Sequence, residues 1–209
     1  MKQSLEATLS AGLATLGLEC SEACRQKLLA YVHLLVKWNR VYNLTAVREP
    51  QAMVTRHLLD SLAVQPYLRG QRVLDVGTGA GLPGIPLAII NPERDFVLLD
   101  SNSKKTRFVQ QAVLELGLPN VEVVYARAED YHPSKGFDVV ISRAFAAISD
   151  MLTTAGQHCA NDGCILAMKG SDPAAELCDI DCRYKVTGVY PLLVPGLDEA
   201  RHVVCLIPK

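Results

Sequence analysis

No charge of one sign dominates this chain. Lysine and arginine together number 21 against 22 aspartate and glutamate, leaving a formal net charge of −1. Such a balance excludes a global basic field for nucleic acid, so any basic surface must be local. Long apolar runs are missing too. Met1 to Gly12 interleaves polar with apolar residues and carries no cleavage pattern, and no stretch is apolar and long enough for a bilayer. A cytosolic protein without membrane contact is the expectation. Metal-ligand spacing is also lacking. The seven cysteines are odd in number and scattered, and the helically spaced pairs Cys20/Cys24 and Cys178/Cys182 have no second close pair or HxxxH beside them. That misses the usual zinc patterns, so reduced structural thiols and no bound metal are expected. Nothing resembles a coiled coil, and a monomer is expected.

What is present begins with helices. At 209 residues and 49% hydrophobic, the chain can bury one good-sized core with an appendage. Leu5, Leu9, Leu13 and Leu16 recur at helical intervals until Gly17. Ser21 is placed to cap a longer helix with Leu28, Val32, Leu35, Trp38 and Tyr42 on one face. Trp38 is assigned to the core rather than to base stacking. A third helix follows Pro50, with Val54, Leu58 and Leu62 inward. Residues 1–68 therefore read as a helical cap, and residues 69–209 as one compact unit.

From Gln71 short apolar runs alternate with helical segments. The expected strands are Arg72–Val76, Phe96–Leu99, Val121–Tyr125, Phe137–Ser142 and Cys164–Lys169; the expected helices are Pro83–Ile90, Lys104–Leu116 and Ile148–His158. Near-continuous hydrophobic strands separated by helices predict an α/β doubly wound, Rossmann-like parallel sheet covered on both faces. The end breaks the pattern. Val186–Val194 and His202–Ile207 are both strand-like, and the Pro195–Arg201 gap is too short for a parallel crossover. The last two strands should form an antiparallel hairpin. That ending is foreign to an ordinary dinucleotide domain and matches the class I methyltransferase variation that uses S-adenosyl-L-methionine (SAM).

Between the first strand and helix lies Val73-Leu74-Asp75-Val76-Gly77-Thr78-Gly79-Ala80-Gly81-Leu82-Pro83-Gly84. Gly79-x-Gly81-x-x-Gly84 satisfies the dinucleotide fingerprint, and Asp100 lies near the distance expected of a ribose-binding acid. An NAD-dependent oxidoreductase is the competing reading. Pro83 and Pro86 weigh against it, since they crowd the helix start where pyrophosphate needs clean amides. SAM has no phosphate, so a compact turn suffices. Asp75 can either order the turn or face the methionine end of SAM. Asp100, ending the second strand, can take both ribose hydroxyls or simply cap the strand. Ala128 and Glu129, after the third strand, stand where adenine would be held.

Phe137-Asp138-Val139-Val140-Ile141-Ser142-Arg143-Ala144-Phe145-Ala146, together with the Asp75–Pro86 turn, resembles the RsmG family, also called GidB. Lys37-Trp38-Asn39-Arg40, Tyr42-Asn43-Leu44-Thr45, Arg56-His57-Leu58-Leu59-Asp60-Ser61 and Val194-Pro195-Gly196-Leu197-Asp198 followed by Arg201-His202 extend the resemblance over essentially the whole chain. It implies a class I SAM-dependent methyltransferase acting on N7 of a guanine in 16S ribosomal RNA, with guanine 527 as the family target. Carried onto matching positions, cofactor contacts fall on Gly77, Leu82, Ala128, Glu129 and Arg143. Asp75, Gly79 and the stretch Asp100-Ser101-Asn102 complete the expected set. Ala80 stands where the family commonly has proline.

Guanine N7 attacks through a lone pair and carries no proton, so no general base is required. Positioning should dominate catalysis, with Arg143 the expected catalytic residue. The alternative for Arg143 is a salt bridge to Asp138 or Asp75. N7 lies in the deep, narrow groove of an RNA duplex, so a loop or unstacked nucleotide is the expected target. Lys104, Lys105, Arg107, Arg143, Lys169, Arg201 and His202 are expected to gather on one rim at the carboxyl ends of the strands. Lys37, Arg40, Arg48, Arg56 and His57 could extend that surface. A non-catalytic RNA-binding assembly factor for the small ribosomal subunit is the remaining alternative. His57 could equally be a buried core histidine.

Overall fold

The computed structural model describes residues 4–209; residues 1–3, the start of the stretch read for a leader and of the cap, lie outside it. The chain opens with α1 (Leu5–Thr15) and α2 (Glu22–Tyr42). The Ser4 and Ser21 hydroxyls cap them by accepting from the Ala7 and Cys24 amides, and each such cap stabilises by about 1 kcal/mol. A third helical run joins α3 (Pro50–Met53), a π-helical stretch (Val54–Leu59) and α4 (Asp60–Leu62). The π stretch is the part that periodicity did not foresee.

Seven strands follow: β1 (Arg72–Val76), β2 (Asp95–Asp100), β3 (Val121–Tyr125), β4 (Phe137–Ser142), β5 (Cys159–Lys169), β6 (Tyr184–Pro191) and β7 (His202–Pro208). They are interleaved with α5 (Gly84–Ile90), α6 (Ser103–Leu116) and α7 (Ile148–Ala155). The sheet order is β3-β2-β1-β4-β5-β7-β6. The first five strands pair in parallel, and β7 runs antiparallel to both β5 and β6. The fold is therefore the class I arrangement with its closing hairpin.

The bounds differ where polar residues sit in strands. β5 starts at Cys159 rather than Cys164, because Cys159 pairs with Phe137 before a register shift ahead of Val139 and Cys164. Ala160 to Gly163 bulge between these pairs, and Asn161 and Asp162 hide the strand from a hydrophobic reading. β6 stops at Pro191, and α7 stops at Ala155 with a 3-10 turn to His158.

Alternation along the strands divides the core in two. Val73, Leu98, Val139, Ile141, Leu166 and Val203 face the N-terminal helices, α5 and α6. Leu74, Leu99, Val140, Ile165 and Val204 face α7. The N-terminal helices thus share one core with the sheet. Leu28, Val32 and Leu35 of α2 are fully buried, each worth about 1.5–3 kcal/mol by transfer. Tyr42 shares the face of Trp38, stacked on it at 5.2 Å between centroids, but is 44% exposed. Among the described residues no helix is long and apolar enough to cross a membrane, and no three metal-ligating side chains cluster. All seven cysteines are free.

Candidate active site

The glycine turn is locked by its own hydrogen bonds. The Gly77 and Thr78 amides donate to Leu99 O at 2.8 and 3.1 Å, Gly81 and Leu82 to Thr78 O, and Ile85 to Gly81 O. Gly79 N donates to Asp100 Oδ2 at 2.8 Å, and Gly84 N to Asp75 Oδ2 at 2.9 Å. Gly77, Gly79 and Gly81 hold φ of 67°, 61° and 85°, a region that glycine enters without the usual penalty. Seven of the turn's amides are thus spent internally. A pyrophosphate would find few donors there, whereas an uncharged or cationic ligand loses nothing.

Asp75 is tied into the turn's framework. It is fully buried, with Oδ2 accepting from Thr78 Oγ1 at 2.6 Å and from Gly84 N. Its Oδ1 has no partner, and burial pushes its pKa up to about 6. Asp100 Oδ1 accepts from Asn102 N at 2.8 Å, so one carboxylate ties the turn to the start of α6. Asn102 caps α6, accepting from the Lys104 and Lys105 amides.

Three adjoining cavities run along the carboxyl ends of the strands. The first, about 240 Å³, is lined by Gly77, Asp100, Ser101, Ala128, Glu129 and Thr154 among others. The second, about 170 Å³, is lined by Leu44, Thr45, His57, Gly77, Gly79, Leu82 and Arg143 among others. They share Gly77, and together they reach the size of a small-molecule site, about 300–1,000 Å³. A β-carbon at Gly77 would lie 2.8 Å from Ala144 Cβ, so glycine keeps the two lobes joined. Ser142 sets that approach: its hydroxyl donates to Val76 O at 2.6 Å and accepts from Ala144 N. Of the expected cofactor residues, Gly77, Gly79, Leu82, Asp100, Ser101, Ala128, Glu129 and Arg143 line the two lobes, while Asp75 and Asn102 support them from behind. His158 donates from Nε2 to Ala128 O at 2.8 Å beneath the first lobe.

The third cavity, about 590 Å³, shares His57 and Arg143 with the second and adds Arg56, Lys169, Arg201 and His202. Every arginine and lysine on its wall is paired. Arg143 Nη1 meets Asp60 Oδ2 at 2.6 Å, and Arg201 Nε meets Asp60 Oδ1 at 3.0 Å. Arg56 and Arg201 grip the two oxygens of Glu199 at 2.5 and 3.0 Å, which hold its pKa down. Lys169 donates to Ala146 O and pairs with Glu176.

The salt bridge of Arg143 thus goes to Asp60, not to Asp138 or Asp75. Asp138 is occupied by the Gln71 and Arg72 amides. Asp60, 2% exposed, is the residue that sequence reasoning missed; its one signal was its place in Arg56–Ser61. His57 is 7% exposed, with burial first and Arg143 second lowering its pKa to about 4. Nδ1 lies 3.0 Å from Arg56 O and Nε2 2.9 Å from Thr45 Oγ1, contacts that the neutral ring favoured by burial makes by donating from Nδ1 and accepting at Nε2. Lys104, Lys105 and Arg107 do not reach this cavity. They stand on α6, across the glycine turn.

The family model described as "rRNA small subunit methyltransferase G" (GidB) matches residues 24–204. The curated "Ribosomal RNA small subunit methyltransferase G" of Nitrosococcus oceani is 50% identical over 98% of this chain and 95% of its own length. That of Shewanella amazonensis is 52% identical over 95% and 97%. Among solved structures, a Pyrococcus abyssi tRNA (uracil-54, C5)-methyltransferase in complex with S-adenosyl-L-homocysteine superposes with a TM-score of 0.54 and 22% identity. That match covers 70% of this chain and 37% of the other, and it bears on the fold alone. With a family model spanning most of the chain and relatives half identical along nearly all of it, the chain belongs to the GidB family of small-subunit rRNA methyltransferases.

Proposed function

We propose that this chain transfers a methyl group from SAM to N7 of a guanine in 16S ribosomal RNA, guanine 527 being the family target. Residues 1–68 act as a cap over the cofactor side of the methyltransferase unit 69–209. The protein works in the cytoplasm, as a monomer, on the small subunit or its RNA. One observation carries the reading: the two lobes at the glycine turn open, past Arg143 and His57, into the cation-lined cavity.

SAM bound in the two lobes supplies an electrophilic methyl group on a positively charged sulfur. The internally satisfied turn suits such a ligand and presents no row of free amides. Asp100 and Ser101 face the first lobe, where a ribose would sit, and Ala128 and Glu129 border the adenine end. Arg143 stands between lobes and cavity, positioned by Asp60 to orient the incoming base.

No side chain has to accept a proton, because N7 has none to lose. Neutral His57, with both ring nitrogens engaged, agrees with that chemistry. The reaction carries one positive charge from cofactor to base and creates none, so alignment is the main task of the residues. The deep duplex groove also argues for an unstacked target nucleotide.

Transfer of labelled methyl from SAM to small subunits, naked 16S RNA and an uninterrupted RNA duplex is the test. Label on a small-subunit guanine N7, and little on the duplex, is expected. Equal labelling of the duplex contradicts the proposed target shape, and tight calorimetric binding of NAD in place of SAM contradicts the cofactor.

A further inference from the structure

Two groups of the cations that could bind RNA differ in their pairing. Those on the 590 Å³ cavity are neutralised by Asp60, Glu199 and Glu176. Lys37 on α2, and Lys104 and Arg107 on α6, are exposed. Among the described residues none of these three has a carboxylate within salt-bridge distance.

Packing brings these three together. α2 and α6 run antiparallel, since Lys27 near the start of α2 donates to Gly117 O beyond the end of α6. Near the other end Trp38 packs on Phe108 at 5.7 Å. The last turns of α2 therefore lie beside the first turns of α6. Taking the Trp38–Phe108 contact as the seam, helical periodicity turns Lys37 and Val41 to the same outer side as Lys104 and Arg107. Tyr42, at the end of α2, is half-exposed and stacked on Trp38, and the same periodicity turns it to the other side of the seam, the side of Lys105. Lys105 reaches back over the glycine turn, its Nζ 4.0 Å from where a β-carbon at Gly79 would stand. The seam therefore borders the cofactor lobes on the side opposite the cavity.

We propose that the α2–α6 seam is a separate docking surface for a single-stranded segment of the substrate RNA, apart from the cavity that receives the target guanine. Lys37, Lys104 and Arg107 contact its phosphates on the outer side, and a base crossing the end of α2 towards Lys105 stacks on the exposed face of Tyr42. This rests on the RNA-methyltransferase reading above. Unpaired exposed cations release counterions when phosphate arrives, while the cavity arginines must first part from a carboxylate. A tyrosine preordered by stacking on an indole loses little freedom when a base adds to the stack. Encounter and affinity therefore come mainly from the seam, and alignment from the cavity.

The test uses the full chain and a 16S RNA fragment containing the methylated guanine, with binding titrated across salt concentrations. Lys37→Gln/Lys104→Gln/Arg107→Gln should weaken RNA binding and flatten the log–log salt dependence by about 2, at about 0.7 per phosphate contact. Tyr42→Ala should weaken binding about tenfold, and Tyr42→Phe should restore it. SAM affinity by calorimetry should not change in any of them. An unchanged salt slope in the triple variant overturns the proposal, as does equal loss in Tyr42→Ala and Tyr42→Phe. If the seam instead recruits a ribosomal protein, the variants lose affinity for whole subunits but not for the RNA fragment, which also overturns it. Failure of the parent reading looks different: the wild-type protein then methylates no small-subunit RNA at all.

Discussion

Two basic regions flank the glycine turn, and they treat their charges in opposite ways. Around the cavity, three carboxylates hold four cations in defined directions, and the central one, Asp60, is almost wholly buried with both oxygens engaged. On the α2–α6 seam Lys37, Lys104 and Arg107 are exposed, and among the described residues they have no carboxylate partner. Pairing sacrifices raw attraction for phosphate in exchange for geometry, while leaving charges free does the reverse. The site that must align a base with a methyl group has the ordered charges. The site that need only catch a polyanion has the loose ones.

Disrupting the ordered side should have the larger effect. Arg143→Ala is expected to lower methyl transfer about 100-fold, because a misplaced reactant costs rate steeply. It should also lower stability by about 1 kcal/mol, since Asp60 keeps Arg201 but loses its shorter partner. Single-turnover rates and denaturant midpoints measure the two effects. Asp60→Asn should follow closely in rate, by about 30-fold, while leaving SAM affinity intact. Equal loss of SAM binding would make Asp60 a folding residue instead.

A pH series probes the same junction. His57 has a folded pKa near 4 against about 6.5 unfolded. A depressed pKa contributes stability that is present above pH 6.5 and lost as pH falls towards 4, by up to about 3 kcal/mol. Asp75 acts oppositely. Its raised pKa of about 6 adds stability below pH 4 that is lost as pH rises through 6. The two contributions oppose each other between pH 6.5 and 4, so His57→Gln, lacking the first, should gain stability relative to the wild type on acidification. Denaturant midpoints at pH 4.5 and 7 decide it. The smallest expected effect belongs to Glu199→Gln. Releasing Arg56 and Arg201 from a solvent-exposed carboxylate should tighten RNA binding about two- to fivefold, moving the cavity towards the seam's behaviour.

The strands were legible because burial on both faces writes itself as short apolar runs: Arg72–Val76, Val121–Tyr125 and Phe137–Ser142 begin and end where the sequence puts them. The closing hairpin followed from loop length alone. The bulged start of β5 did not, because Asn161 and Asp162 interrupt the hydrophobic pattern. Most lobe-lining residues were also found, since they follow strand ends in a fixed order. Asp60 was not, because its partners Arg143 and Arg201 lie 83 and 141 positions away and no local periodicity encodes such a pair. Lys104, Lys105 and Arg107 lie on α6, apart from the wall that carries Arg143, Lys169 and Arg201, and chain order alone does not separate the two sides of the glycine turn. Tyr42 shares a helix face with Trp38 by spacing, but α2 ends before the core can cover it.

The central claim is most directly tested by mapping N7-methylguanine along 16S ribosomal RNA from cells with and without this protein, using cleavage chemistry selective for that base. One small-subunit guanine should carry the modification only when the protein is present, and Arg143→Ala should leave it largely unmodified. An identical map in the presence and absence of the protein would contradict the account.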